Sequence, residues 1–188
     1  KLHGTEITIM SDRNEEVTFA LAAAVTGGDI IVQNSQLVNL TAFTEVFIKA
    51  GMRFEPLDKN STRYVWKDCI LPVDVTTTPY PGFMTDWQAP WAVLMTQAAG
   101  VSTIHETIFE SRFSYVAELK KMGAEIEFFD PPVDNPELFY NFNWKDRVEG
   151  YHQGICIKGP TALHDAILEI DDLRAGAKGD PYFLRPVY

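Results

Sequence analysis

The sequence predicts a mixed α/β (α+β) fold in which a strand–helix–strand–helix–strand–strand (βαβαββ) unit is used at least twice. Three observations lead to this prediction. Short apolar alternations separate amphipathic stretches long enough for helices, glycines close those stretches, and the order of elements repeats along the chain. With 188 residues, 46% of them hydrophobic, the chain is large enough for one domain with a buried core.

The first unit is expected over about residues 1–70. "EITIM" alternates like a short strand. "SDRNEEVTFALAAAVTGG" predicts a helix, because Ser11 or Asp12 can cap it, its first turn is acidic and two glycines close it. "DIIVQN" follows as a strand and "LTAFTEVFIKAG" as a second helix. "MRFEPL" and "RYVWKD" predict two strands paired around the turn "DKNST".

The second unit is expected over about residues 71–154. Its elements are "LPVDVTTTPYPGFM", the helix "TDWQAPWAVLMTQAAG", the strand "STIHET", the helix "SRFSYVAELKKMG" and the strand "AEIEFF". A shift of 72 residues places Gly28 and Gly51 on Gly100 and Gly123, which supports the repeat. Residues 129–154 are rich in proline, asparagine and charge and predict a long loop.

The aromatic residues of this loop have two interpretations. They either pin the loop to the body of the domain or form a platform for a nucleobase, and pinning is the commoner role. The residues are Phe139, Tyr140, Phe142 and Trp144.

An incomplete third unit is expected over about residues 155–188, opening at "ICIKGPTALHDAILEIDDLRAGA". Asp172 is expected at the start of a helix, the position that Asp12 and Asp86 occupy in the first two units. Residues 1–188 would then form a single domain. Because the chain begins at Lys1, it is expected to begin inside a longer protein or to have been cut.

The composition narrows the choice of partners. A formal net charge of −10 argues against nucleic acids and anionic membranes, which bind basic faces, but it permits a local positive pocket for a small anion. No apolar run approaches the roughly 20 residues of a membrane span. Cys69 and Cys156 lie in apolar runs typical of buried thiols. The four histidines show no metal-ligand spacing, so no metal site is expected.

The stretch "TPYPGFMTDWQA" leads through two prolines and a glycine to Asp86. A carboxylate at a helix N-terminus commonly serves as a cap, and Thr85 with Gln88 offers a capping box. A cap does not need so constrained a backbone path, however, because proline and glycine fix unusual turns. The stretch therefore also indicates a functional carboxylate.

Four segments in order resemble the enolpyruvyl transferase family: "SDRNEEVTFALAAAVTGGDI", "TPYPGFMTDWQA", "ETIFESRFSYVAELKKMGAEIE" and "DDLRAGA". The resemblance extends over about residues 11–177. It implies a two-domain enzyme in which each domain repeats a βαβαββ unit three times, with helices inside and sheets outside. This chain would be most of one domain, and the N-terminal-side domain of the same enzyme would be missing. Glu16 and Met84 depart from the family pattern, which usually has small residues and a proline there.

The motifs are most similar to the branch of the family that acts on UDP-N-acetylglucosamine. That branch transfers the enolpyruvyl group of phosphoenolpyruvate to the 3'-hydroxyl of the sugar nucleotide, the first committed step of peptidoglycan synthesis. The resemblance implies a cytoplasmic enzyme without a cofactor or a metal. Because the other domain supplies the remaining groups, this chain would hold half of the active site and is expected to be inactive alone.

The resemblance also implies roles for single residues. Asp86 would accept the proton of the sugar hydroxyl, Asp172 would help to position the reaction, and Arg112 and Arg174 would face phosphoenolpyruvate. Ile108 and Phe109 would line the sugar-nucleotide site. Residues given supporting or structural roles are Glu110, beside Arg112, and Asp12 and Arg13, at the first helix.

Two alternatives stay open at this stage. The chain could belong to the related enzyme that acts on shikimate 3-phosphate, although the motifs favour the sugar-nucleotide enzyme. It could also be a binding or scaffold module that keeps the fold without the chemistry.

Overall fold

The chain folds into two β-sheets that cover a layer of helices. The computed structural model describes residues 2–66 and 69–169, which form five α-helices and seven β-strands. The helices are α1 (Arg13–Val25), α2 (Thr41–Lys49), α3 (Gln88–Met95), α4 (Tyr115–Lys121) and α5 (Pro136–Phe139). The strands are β1 (Asp29–Gln33), β2 (Arg53–Pro56), β3 (Ser61–Val65), β4 (Val75–Thr76), β5 (Gly100–His105), β6 (Glu125–Phe129) and β7 (Gly154–Gly159).

The first sheet has the strand order β1-β3-β2 and is antiparallel throughout. β2 and β3 form the predicted hairpin, whose turn is closed by a 2.9 Å hydrogen bond from Leu57 N to Ser61 O. Along β3 the side chains alternate, so that Thr62 and Tyr64 are buried while Arg63 faces outward beside Asp29. The inner face of the sheet therefore packs on the helices and its outer face meets solvent.

The second sheet has the order β4-β5-β7-β6, and β4 runs parallel to β5. β7 lies between β5 and β6 and is antiparallel to both, which is the place that β3 occupies between β1 and β2. The strand expected to open the third unit at about residue 155 therefore completes the second unit. The prediction failed because a long connection separates β6 from β7, where a tight turn separates β2 from β3, and pairing across such a distance leaves no local signal.

The strand predicted for "EITIM" was wrong. Residues 6–10 lie outside any strand, and the side chains of Ile7 and Ile9 are 80% and 85% exposed. A strand needs a hydrogen-bonding neighbour, as β4 has in β5, and within residues 2–66 and 69–169 nothing pairs with this segment. Alternation alone predicted an element that has no partner here.

Two of the helices, α1 and α3, form the interior. α1 packs along α3, and all eight residues of α3 are buried, which agrees with the expected arrangement of helices inside and sheets outside. Gly51 and Gly123 end α2 and α4 with φ angles of 88° and 97°, which L-residues with a side chain rarely adopt. This match supports the 72-residue repeat that related the two glycines. α4 begins only at Tyr115, so residues 111–114 of the predicted helix form a loop.

In the part of the chain that the structure describes, no helix combines the length and the apolar character needed to cross a bilayer.

Candidate active site

The stretch before Asp86 folds back on itself and is anchored in the core. Thr78 N donates a 2.8 Å hydrogen bond to Phe83 O, and the Tyr80–Pro81 peptide is cis. A Cβ at Gly82 would lie 1.7 Å from Thr78 Oγ1, so only glycine fits at this close approach. Phe83 is buried and contacts the rings of two buried tryptophans, Trp87 and Trp91. The constrained path thus fixes where the next turn begins.

That turn, Thr85–Trp87, is a 3₁₀ turn that leads directly into α3. Trp87 is buried, and its Nε1 donates a 2.9 Å hydrogen bond to Asn14 Oδ1 in the first turn of α1. The N-termini of α1 and α3 therefore meet at one end of the helical layer. We call this end the helix mouth.

Glu106 accepts hydrogen bonds from two segments that lie at the helix mouth. It follows β5, is fully buried, and accepts hydrogen bonds at Oε2 from Thr85 Oγ1 (2.8 Å) and Gln88 Nε2. Its Oε1 accepts from the backbone N–H groups of Ile108 (2.7 Å) and Phe109 (3.0 Å). Burial raises the pKa of Glu106, and the hydrogen bonds from Thr85, Ile108 and Phe109 oppose that rise.

The segment after Glu106 brings a cation to the helix mouth. Arg112 lies in the loop before α4, and its Nη2 donates a 2.6 Å hydrogen bond to Asp86 Oδ1. The Arg112 side chain is 16% exposed and that of Asp86 34% exposed, so the ion pair is accessible from solvent. The guanidinium carbon lies 5.0 Å from the centroid of the Phe109 ring, which is itself 45% exposed. A cavity of about 480 Å³ adjoins Arg112 and reaches Tyr151 and His152.

This arrangement has the parts of an acid–base site for an anionic substrate. An accessible carboxylate such as Asp86 can accept a proton from a hydroxyl group that approaches it. A guanidinium such as Arg112 can bind a carboxylate or a phosphate with two parallel hydrogen bonds. The exposed face of Phe109 offers an apolar contact beside both groups.

Comparisons with known proteins place the chain in a family. The model of the family described as EPSP synthase (3-phosphoshikimate 1-carboxyvinyltransferase) matches residues 1–178. The chain belongs to the EPSP synthase family. This confirms the enolpyruvyl transferase resemblance of the motifs.

Curated relatives within the family are identical to the chain at 44% of the aligned positions. The UDP-N-acetylglucosamine 1-carboxyvinyltransferase of Acidobacterium capsulatum is 44% identical over 94% of the chain, which spans 36% of that relative. The protein of the same name from Bartonella henselae is 44% identical over 68% of the chain, which spans 30% of it. The chain thus spans about a third of the length of the relatives that it matches.

Solved structures show the same fold as this member of the EPSP synthase family. The enolpyruvyl transferase NikO from Streptomyces tendae aligns over 95% of the chain and 37% of its own length, with a TM-score of 0.70 at 21% identity. EPSP synthase from Acinetobacter baumannii aligns over 92% of the chain and 36% of its own length, with a TM-score of 0.60 at 12% identity. The predicted fold class is therefore confirmed.

The structure brings four of the six residues that the family motifs single out to one place. Asp86 and Arg112 contact each other, and Ile108 and Phe109 lie on the segment between Glu106 and Arg112. The other two residues lie outside the described part of the chain, and they are Asp172 and Arg174.

Some local expectations for the EPSP synthase family motifs were wrong. Thr85 and Gln88 do not form a capping box, because both side chains donate to Glu106 instead. Glu110 was expected to support Arg112, but its carboxylate accepts a hydrogen bond from Val148 N of the long loop.

The equivalence of Asp12 with Asp86 was also wrong. Asp12 is the N-cap of α1 and accepts a 2.8 Å hydrogen bond from Asn14 N. Under the 72-residue shift Asp86 corresponds to Asn14, inside the helix rather than before it. Arg13, expected to be structural, lies with its guanidinium carbon 4.5 Å from the centroid of the Tyr80 ring, so it helps to hold the loop before Asp86.

The aromatic residues of the long loop pack in the manner of the pinning interpretation. Tyr140 is buried, stacks on Trp144 with ring centroids 4.5 Å apart, and lies 3.0 Å through its hydroxyl from His105 Nε2. Asn141 N donates a 2.8 Å hydrogen bond to Thr107 O. The loop is thereby attached to the segment at the end of β5.

Glu106 was missed by the sequence analysis, although a signal for it exists. In β5, Ser102 and Ile104 face inward, and the period of two places residue 106 on the same buried side.

The expectation for the cysteines also needs correction. Cys156 is half-buried in β7, but Cys69 is exposed because it lies in the irregular connection after β3. Among the described residues, no cluster of three or more His, Cys, Asp or Glu side chains could hold a metal ion.

Proposed function

We propose that this chain is one domain of a carboxyvinyltransferase that transfers the enolpyruvyl group of phosphoenolpyruvate to the 3'-hydroxyl of UDP-N-acetylglucosamine. The names of the curated relatives and their identity over the length of the chain support this choice of acceptor. A cytoplasmic location and a role in peptidoglycan synthesis follow from the proposal. The missing domain of the same enzyme would be the main partner of this one.

The observation that carries the proposal is the accessible ion pair of Asp86 and Arg112 at the helix mouth. In the proposed reaction, the sugar hydroxyl oxygen bonds to the central carbon of phosphoenolpyruvate while Asp86 accepts the hydroxyl proton. Arg112 stabilises the anionic groups of phosphoenolpyruvate as phosphate later departs. We expect the acid that protonates the methylene carbon to come from the other domain. When the bond to phosphate breaks, one proton of the resulting methyl group is removed and the carbon–carbon double bond forms again.

Further residues have proposed roles beside this pair. The half-buried residue Ile108 and the exposed ring of Phe109 would line the sugar-nucleotide site. Asp172 and Arg174 belong to the "DDLRA" motif, and we propose that they complete this half of the site. Of these residues, only Ile108 and Phe109 fall within the part of the chain that the structure describes.

The test is an acceptor comparison with the complete protein from which this chain comes. Phosphate release from phosphoenolpyruvate is measured with UDP-N-acetylglucosamine and, separately, with shikimate 3-phosphate. Release with the sugar nucleotide alone supports the proposal. Release with shikimate 3-phosphate alone would favour that acceptor, which appears in the description of the matched family. Release with neither acceptor would favour a binding or scaffold module of the same fold.

A further inference from the structure

Glu106 is a buried carboxylate that is bound by two separate segments of the candidate site. One of its oxygens accepts hydrogen bonds from the side chains of Thr85 and Gln88. The other accepts from two consecutive backbone N–H groups, those of Ile108 and Phe109. Four donors from different parts of the chain therefore converge on one side chain.

The two segments carry the two partners of the ion pair. Thr85 and Gln88 flank Asp86 in the turn before α3. Ile108 and Phe109 begin the segment that ends at Arg112. We propose that Glu106 is the positioning residue of this site. Its carboxylate fixes the relative position of Asp86 and Arg112 by binding the two segments that carry them. The kinetic part of this inference rests on the proposed function.

The geometry calls for a carboxylate at this position. An ionised carboxylate only accepts hydrogen bonds, so its two oxygens can satisfy all four donors. A glutamine would keep one oxygen for two of the donors and direct its own NH₂ group at the other two. A buried charge is costly unless it is well hydrogen-bonded, and Glu106 meets that condition.

The first unit supplies a matched control. Glu16 of α1 is also buried, and its carboxylate accepts hydrogen bonds from Ser35 Oγ (2.6 Å), Gln36 N (2.7 Å) and Tyr64 Oη (2.6 Å). These partners belong to the turn after β1 and to β3, not to the segments that carry Asp86 and Arg112. Glu16→Gln therefore removes a comparable buried carboxylate without touching those segments.

The kinetic experiment uses the complete enzyme with phosphoenolpyruvate and UDP-N-acetylglucosamine. Glu106→Gln is expected to lower kcat about 10- to 100-fold, the scale of a small displacement of reacting groups, with both KM values changed less than about threefold. Glu16→Gln should leave kcat near that of the wild type. The double variant Gln88→Glu/Glu106→Gln exchanges the carboxylate and the amide that form the hydrogen bond between these two residues. The carboxylate then lies on α3, as that of Glu16 lies on α1 in the first unit, and the variant should recover most of the lost kcat.

A second measurement does not depend on turnover. Amide hydrogen exchange of the complete protein without substrate is followed at Ile108 and Phe109 and, as the control site, at Gln36. Glu106→Gln should accelerate exchange at the first two amides, and Glu16→Gln should accelerate it only at Gln36. If the wild type does not use UDP-N-acetylglucosamine, the proposed function fails and this measurement still decides the role of Glu106.

A milder pair of variants covers the case in which Glu106→Gln does not fold. Thr85→Val removes one of the four donors, whereas Thr85→Ser keeps it. Thr85→Val should lower kcat several-fold, on the order of 3- to 10-fold, and Thr85→Ser should restore it. Wild-type kcat and unchanged exchange in Glu106→Gln would overturn the inference, as would equal losses of kcat in Glu106→Gln and Glu16→Gln. The proposed function would survive that result if Asp86→Asn still lowered kcat by about 100-fold or more.

Discussion

The starts of α1 and α3 occupy equivalent places in the two units, but their carboxylates lie at different positions. We call residues 14 and 86 the outer position and residues 16 and 88 the inner position. The 72-residue shift places Asn14 on Asp86 and Glu16 on Gln88. In the first unit the acid, Glu16, is buried and the outer residue is a neutral amide. In the second unit the amide, Gln88, is buried and the outer residue, Asp86, is an acid paired with Arg112.

Under the proposed function, this exchange of acid and amide would distinguish a structural helix start from a reactive one. Asn14 uses its side-chain oxygen to accept from the buried indole of Trp87, which ties α1 to α3. Asp86, by contrast, projects an accessible charge toward a cation. The buried carboxylate that the second unit would otherwise lack comes from Glu106 at the end of β5. Under the proposed function, the same fold position would serve packing in one unit and chemistry in the other.

The largest expected effect comes from making the outer position of the second unit resemble the first. Asp86→Asn in the complete enzyme should lower kcat about 100- to 10,000-fold, because an amide cannot accept the hydroxyl proton. The melting temperature should stay close to that of the wild type, since asparagine also suits a helix start. Turnover and melting temperature are measured on the same preparation. Normal turnover would show that Asp86, like Asn14, only shapes a helix start.

The next effect concerns the cation of the outer pair. Arg112→Ala should weaken kcat/KM for phosphoenolpyruvate by about 2–4 kcal/mol, or roughly 30- to 700-fold, the scale of truncating a hydrogen-bonded charge. The control is Arg63→Ala, which breaks the exposed ion pair with Asp29 on the first sheet and should leave kcat/KM unchanged. Equal results for the two variants would remove Arg112 from the site.

Local patterns in the sequence were sufficient for much of the fold. The helices α1, α2 and α3, the β2–β3 hairpin and the glycines at positions 51 and 123 follow from periodicity, capping and turn chemistry. The pairings over long distances did not follow. The place of β7 depends on a connection of more than twenty residues, and residues 6–10 show that alternation without a neighbour does not make a strand.

The contacts within the candidate site could not be predicted from the sequence. The motif resemblance selected Asp86 and Arg112, yet nothing in the sequence indicated that they form an ion pair. Thr85 and Gln88 fitted a capping box by spacing, but the buried carboxylate of Glu106 competes for their side chains and wins. A partner that arrives from a distant strand is invisible to rules that consider only neighbours along the chain.

The third expected effect tests the inner position of the first unit. Glu16→Gln should lower the free energy of unfolding by about 1–3 kcal/mol, because the amide nitrogen cannot accept hydrogen bonds from Ser35, Gln36 or Tyr64. Denaturant unfolding of the complete protein measures the loss. An unchanged free energy of unfolding would mean that glutamate and glutamine are equivalent at position 16. The difference between Glu16 and Gln88 in the two units would then not affect stability.

The smallest effect is expected from placing an acid at the outer position of the first unit. Asn14→Asp keeps an oxygen for the indole N–H of Trp87, and an acid in the first turn of α1 interacts favourably with the helix dipole. Asp12 lies two residues away and opposes this gain by repulsion, so the free energy of unfolding should change by less than about 1 kcal/mol. Asn14→Leu, which leaves the buried indole N–H without its acceptor, should instead cost about 1–3 kcal/mol. Turnover should stay near the wild-type value in Asn14→Asp, because an acid at this position does not acquire a guanidinium partner such as Arg112. A tenfold rise or fall in kcat would show that the outer position of the first unit also contacts the reacting groups, and the division into a structural and a reactive helix start would then have to be abandoned.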